Sequence, residues 1–359
     1  MSRPAEACLD MAALTANLER VRELAPQSKV ISIIKANAYG HGLVRVARTL
    51  AAHTDAFGVA SGEEAWAVRM AGIKLPITLL EGFFDEDEFS TIEEHQLTLT
   101  IHHVWQINAL AKAKLKQPLK VWLKIDTGMH RLGLAPELVD EAVEHLRQSG
   151  NVSEIGFMTH FANADDLDDA TSEQQLDLFQ QTLSLQDGER SIANSAGIVA
   201  WPKSHVEWVR PGIMLYGVSP MQGQQGAEHG LKSVMTLRSR LIAVNYLKKG
   251  DRVGYGGTWE CPEDMPVGVI AMGYGDGYPR HAKEGTPVLV REQLVPLIGR
   301  VSMDMITVDL RRVVQPRVGD AVTLWGEGLP IELIADASAT IGYELLCGVT
   351  PRVRVIEIA

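Results

Sequence analysis

The 359-residue chain is short of the features that would place it in several protein classes. It has three cysteines, Cys8, Cys261 and Cys347, odd in number and far apart. That gives neither a disulfide framework nor a zinc-ligand spacing, and it suits a reducing compartment. No metal site is expected. Aromatic residues make up 6% of the chain. Positive charge is in deficit: 34 Lys and Arg face 45 Asp and Glu, for a net charge of −11. Nucleic acid and anionic membrane surfaces are therefore poor partners. No apolar run approaches the length that spans a bilayer. The first residues carry Arg3, Glu6 and Asp10 and no apolar signal core, so a cytoplasmic protein is expected. The Gly-x-Gly-x-x-Gly fingerprint of dinucleotide-binding sheets is absent too. What remains, at 46% apolar and 22% charged residues, is the composition of an ordinary globular protein with room for two domains.

Short apolar runs alternate with helical patterns over residues 1–235. The runs predicted as strands are Val30–Ile34, Ala56–Ala60, Ile77–Leu80, Leu97–Ile101, Val121–Ile125, Ile155–His160, Ser191–Ser195 and Glu207–Arg210. Between them, Ser61-x-x-Glu64 and Ser172-x-x-Gln175 read as capping boxes. Pro136 reads as a helix start. Eight strand-plus-helix units predict a (β/α)8 barrel of TIM type; a doubly wound sheet is the structural rival. From about residue 236 to 359 the texture changes to short strand-like runs separated by Gly, Pro and Asp turns. They are Met235–Val244, Val267–Met272, Thr286–Val290, Leu294–Ile298, Met305–Leu310, Ala321–Leu324 and Val353–Ile358. This predicts a separate C-terminal, mostly-β domain, with the Gly- and Gln-rich stretch around Met221–His229 as linker or surface loop.

Chemistry in a barrel gathers at the C-terminal ends of its strands. Those ends offer Lys35, Lys124 with Asp126 and Arg131, His160, Asn194 with Ser195, and Arg210. Each alone has a bland reading: a solvated lysine, a structural histidine, a helix cap, a surface ion pair. Placement on one rim is what raises them together. A lysine at the mouth of a buried strand is poorly hydrated, which favours the neutral amine that attacks an aldehyde to form a Schiff base.

The stretch Lys35-Ala36-Asn37-Ala38-Tyr39-Gly40-His41-Gly42 resembles the cofactor-lysine motif of the alanine racemases, without a break over its eight residues. Val253-Gly254-Tyr255-Gly256-Gly257-Thr258-Trp259 resembles that family's catalytic tyrosine loop. Met272–Arg280 and Gly299–Asp304 resemble segments that wall its substrate entrance. The resemblance implies pyridoxal 5′-phosphate on Lys35, with Tyr39, Ser195, Gly212 and Ile213 at the phosphate. It puts Arg210 at the pyridine nitrogen with His160 behind. An arginine cannot give up its proton, so it would leave that nitrogen unprotonated and weaken the electron sink, disfavouring transamination. Racemisation needs an acid/base group on each face of Cα, and the resemblance assigns Lys35 and Tyr255. It gives Arg131 and the Met303 N–H to the substrate carboxylate, and Asp165, Tyr274, Arg280 and Arg300 to the entrance. Lys124 is expected to be carbamylated, because a cationic lysine beside Arg131 would be repulsive.

The implied protein is a head-to-tail homodimer with shared active sites, acting on alanine, and the first dozen or so residues would join the β domain. One departure stands out: Pro351 occupies a position where some members have a further phosphate-binding tyrosine. The competing readings are a decarboxylase using the same cofactor on the same plan, and a non-catalytic carrier of the cofactor.

Overall fold

The structure is a computed structural model and describes residues 3–358. It divides into two compact units. Among the described residues, one comprises 15–215 and 219–224; the other comprises 3–14, 216–218 and 225–358.

Strand β1 (Glu6–Asp10) belongs to the second unit. The first unit is a closed, all-parallel barrel of eight strands: β2 (Lys29–Ile33), β3 (Ala56–Val59), β4 (Ile77–Leu79), β5 (Leu97–Ile101), β6 (Leu119–Lys124), β7 (Val152–Met158), β8 (Arg190–Ser191) and β9 (Trp208–Val209). Every predicted barrel strand is present, with ends moved by a few residues. The shortest two are β8 and β9, yet the ladder runs past them: Arg210 N–H donates to Ala193 O and Ile33 N–H to Pro211 O, both at 2.9 Å. The doubly wound alternative is excluded by closure between β9 and β2.

Strands buried on both faces need apolar residues throughout, and β3, β4 and β5 are buried at every position. The N-terminal end of the barrel is floored by Trp122 and Trp208, edge to face at 6.3 Å between ring centroids. A Cβ on Gly156 would sit 2.6 Å from the Trp122 ring, so only glycine lets that ring lie there. Lys120 reaches Glu154 at 2.7 Å and Glu189 at 2.8 Å, while Lys29 reaches Glu189 at 2.9 Å.

The second unit carries an eight-stranded sheet. Its further strands are β10 (Met235–Leu247), β13 (Met265–Ile270), β14 (Pro287–Val290), β15 (Gln293–Ile298), β16 (Ile306–Asp309), β17 (Ala321–Trp325) and β18 (Arg354–Ile358); the ribbon of β11 (Arg252–Val253) and β12 (Trp259–Glu260) stands apart. All seven runs expected in this region are strands. β10 is bulged between Leu241 and Ala243. The bend lets its first half pair with β1 and β17 and its second half with β13. β1 lies between β10, antiparallel, and β18, parallel. The short helices Ile331–Ala337 and Gly342–Cys347 were not apparent in the sequence pattern.

Both capping boxes are corrected. Ser61 is the N-cap of Gly62–Met70, but its side chain makes no capping bond. Glu64 turns outward to the ends of β2 and β3 instead, accepting from Ala36 N–H at 2.7 Å and Ala60 N–H at 2.9 Å. The helix predicted at Ser172 begins at Thr171, capped by Ala170. Gln175 is buried and bonds Ala162 N–H, Thr127 Oγ1 and His160 O. In each case a tertiary partner out-competes the local one.

Candidate active site

One residue beyond β2, after Ile34, Lys35 opens a turn in which Ala36, Asn37 and Ala38 all have φ of 53° and Tyr39 has φ of 50°. Four consecutive non-glycine residues in the left-handed region form one left-handed helical turn, a conformation that costs about 1–2 kcal/mol per residue. The turn closes with Gly40 N–H donating to Ala36 O at 3.1 Å. Gly40, at φ 79°, provides the exit. Asn37 Oδ1 accepts from Leu43 N–H at 2.9 Å, starting the helix Leu43–Leu50. His41 is buried, and burial pushes its imidazole down to about 4, so it is neutral. Its Nδ1–H then donates to Tyr39 O at 2.8 Å and Ala38 O at 3.1 Å. Lys35 is half-buried at the start of this turn, and Tyr39 is buried at its end.

Tyr39 is brought against the segment after β9. A Cβ on Gly212 would lie 2.6 Å from Tyr39 Oη. Gly212 N–H donates to Ser195 Oγ at 2.8 Å, and Met214 N–H to the same oxygen at 3.4 Å. Ser195 stands one residue inside the helix Ser195–Ala200, whose cap is Asn194: its Oδ1 accepts from Gly197 N–H at 2.9 Å. The Ser195 hydroxyl is thereby left to face Gly212 rather than to cap. Ile213 follows directly, at the start of a 3-10 turn, fully buried. The Tyr39 and Ser195 hydroxyls and the Gly212 and Met214 N–H groups meet here, close about the bare Cα of Gly212. Hydroxyls and main-chain N–H groups are the kinds of donor that a phosphate group takes.

Arg210 is 5% exposed and is held on several sides. It donates to Ser191 Oγ at 2.6 Å, Thr159 O at 2.5 Å, Ile192 O at 3.1 Å and His160 Nδ1 at 3.4 Å. Burial lowers its guanidinium to about 10, which still leaves it cationic at neutral pH. Burial first, then the charges of Arg210, Lys124, Arg131 and Lys35, push the His160 imidazole well below its ordinary range. His160 is neutral, free to accept through Nδ1.

Lys124 ends β6 and is 8% exposed. Burial, joined by the positive charges of Arg210, Arg131 and Lys35 and opposed by Asp126, brings its amine down to about 8. Asp126 meanwhile accepts from Gly128 N–H and His130 N–H, each at 3.0 Å, so it serves the loop that carries Arg131. Arg131 itself is exposed. Asp165 is half-buried, its carbonyl accepting from Gln222 N–H at 3.4 Å.

In the second unit, Tyr255 tips the β11–β12 ribbon in a turn where Gly254, Gly256 and Gly257 all have positive φ. It is 70% exposed, so a core role is excluded. Tyr255 and Arg300 line a cavity of about 400 Å3 with Ser302 and Met305. Tyr274 and Met303 come together through main-chain bonds: Tyr274 N–H to Ser302 O at 3.0 Å and Gly275 N–H to Met303 O at 2.9 Å. Beneath them lies the fully buried Asp276, which accepts from Gly273 N–H at 2.9 Å and Arg3 at 2.6 Å. Arg352 lies 3.4 Å from it. Beside Pro351, Thr350 Oγ1 donates to Gly275 O at 2.9 Å. Arg280 is exposed on the turn after Tyr278.

Sequence reasoning missed what Glu64, Gln175 and His41 hold in the first unit and what Asp276 holds in the second. The first two carried a misleading local signal, and the partners of all four are chosen by the fold. Lys35, Lys124 and Arg210 at the C-terminal strand ends of a parallel barrel, with hydroxyls and main-chain N–H groups beside them, are the setting in which a barrel enzyme holds an anionic small molecule.

Family models described as the alanine racemase N-terminal and C-terminal domains match residues 9–220 and 234–357. The chain is 52% identical to an alanine racemase of Nitrosococcus oceani over 97% of its own length and 98% of that protein. It is equally identical to the biosynthetic alanine racemase of an Escherichia coli O6:H1 strain, over 95% of each chain. The crystal structure of biosynthetic alanine racemase from Pseudomonas aeruginosa superposes with a TM-score of 0.97 at 43% identity, covering 99% of this chain and all of that one. The chain belongs to the alanine racemase family. These matches do not favour the decarboxylase or carrier readings.

Proposed function

We propose that the chain interconverts L- and D-alanine with pyridoxal 5′-phosphate held on Lys35. The observation that carries this is the convergence on Ser195 Oγ of the Gly212 and Met214 N–H groups, beside the Tyr39 hydroxyl and one left-handed turn from Lys35. Lys35 would hold the cofactor through its amine. Tyr39, Ser195, Gly212 and Ile213 would hold its phosphate, and Arg210, steadied by His160, its ring nitrogen. Bound there, the cofactor supplies the electron sink that makes the Cα proton of an amino acid acidic.

The residues then divide the proton work. Lys35 takes or returns a proton on one face of Cα and Tyr255 on the other. Arg131 and the Met303 N–H would hold the substrate carboxylate, while Asp165, Tyr274, Arg280 and Arg300 would screen what enters. Tyr255 would come from a second copy, in a head-to-tail homodimer whose sites are shared. Lys124 would carry a carbamate: its neutral amine adds to carbon dioxide and releases one proton. The resulting anion would neutralise part of the positive field of Arg131 and Arg210 and hold Arg131 in place. Cys8, Cys261 and Cys347 form no disulfide, which supports a cytoplasmic setting.

The test uses purified holoenzyme and L-alanine. Chiral separation should show approach to an equimolar mixture, and borohydride should fix the cofactor to the peptide containing Lys35. Release of ethylamine, or a label on another lysine, would overturn the assignment.

A further inference from the structure

We infer that Glu64 is a positioning residue for Lys35, clamping the left-handed turn from its open end. The inference rests on the reading that Lys35 is the working lysine. A left-handed turn starting just beyond a strand leaves its first N–H, that of Ala36, outside both the barrel ladder and the turn's own bonds. Glu64 Oε1 accepts from that group at 2.7 Å. Its other oxygen, Oε2, accepts from Ala60 N–H at 2.9 Å. Ala60 directly follows β3, the barrel neighbour of β2. One carboxylate therefore ties the residue after Lys35 to the end of the adjacent strand. Both bonds have an ionised acceptor, the stronger kind.

The far end of the turn is held separately, by His41 Nδ1 on the carbonyls of Ala38 and Tyr39. Between the two clamps run four non-glycine residues with φ between 50° and 53°. L-residues leave this conformation readily when nothing over-determines it. Rotation at Ala36 would re-aim the Cα–Cβ bond of Lys35, and a displacement of about 1 Å in a reacting group can cost about a hundredfold in rate. Glu64 touches no reacting atom; its effect passes through the backbone.

Amide hydrogen exchange of the 35–42 segment and steady-state kinetics are read together on holoenzymes of wild type, E64A, E64Q and the neighbouring control E63Q. In E64A the segment should exchange about tenfold faster while β2 and β3 keep their protection. The turnover number should fall about tenfold or more with KM changed less than about twofold. E64Q keeps one acceptor oxygen and should lie between, and E63Q should match wild type. If E64A loosens the whole barrel, E64Q decides by the same two readouts. Unchanged exchange over 35–42, or faster exchange with an unchanged turnover number, overturns the inference. A borohydride label away from Lys35 in wild type would remove the functional reading, yet leave the exchange result to judge the clamp by itself.

Discussion

Replacing Gly212 by alanine isolates one contact of the proposed phosphate cradle. Gly212 does not have the positive φ that would strain alanine, so the backbone accepts the change. The new methyl, however, would sit 2.6 Å from Tyr39 Oη and 3.4 Å from Tyr39 Cζ. The second distance is an ordinary contact, whereas the first is not, so the hydroxyl alone is in the way. Tyr39 is 9% exposed and follows three left-handed residues, so it cannot swing aside cheaply. Overpacking of this kind costs about 1–3 kcal/mol, which corresponds to about 5- to 150-fold in cofactor affinity. Tyr39→Phe removes the obstructing oxygen together with one of the hydroxyls proposed for the phosphate, at about 0.5–1.5 kcal/mol. In that background, Gly212→Ala should cost almost nothing further. The assay is equilibrium titration of the four apo-proteins with pyridoxal 5′-phosphate, arranged as a double-mutant cycle. Equal losses from Gly212→Ala in both backgrounds would refute the reasoning, because the hydroxyl would then not be what the methyl meets.

The proposed shared-site dimer predicts complementation. Lys35→Ala and Tyr255→Ala chains, each nearly inactive, should on random reassortment recover about a quarter of wild-type activity, since half the dimers are mixed and each has one intact site. No recovery would mean that Tyr255 serves its own chain's lysine. For Lys124, with an amine brought down to about 8, the neutral fraction rises as pH climbs through that value. At fixed dissolved carbon dioxide, carbamate occupancy should rise with it. A carbamate signal in 13C NMR after labelling with bicarbonate, absent from Lys124→Met, is the expected result; no signal across that range would leave Lys124 a plain lysine.

The sequence alone determined a great deal here. Alternation of β-branched runs with helical patterns suffices for the barrel, because a parallel strand buried on both faces must be apolar along its length. Strand-end position then picks out Lys35, Lys124 and Arg210, because the barrel brings every C-terminal strand end to one rim. The motif at Lys35 and the glycine-flanked Tyr255 needed only recognition. Tertiary structure decided what the polar side chains do. Ser61-x-x-Glu64 and Ser172-x-x-Gln175 have the spacing of capping boxes. Glu64 went to Ala36 and Ala60, and Gln175 to Thr127, His160 and Ala162, because main-chain groups left unpaired where strands end compete for the same acceptors and donors. The left-handed turn at 36–39 was likewise invisible, since no residue in it is glycine and its stability comes from Glu64, Asn37 and His41 closing around it. The strand β1 lacked a signal of its own, because its partners, β10 and β18, lie more than two hundred residues away in the chain. Local pattern fixes which segments are strands and helices. Which donor meets which acceptor depends on segments far apart in sequence, and that is settled only when the barrel and the sheet close.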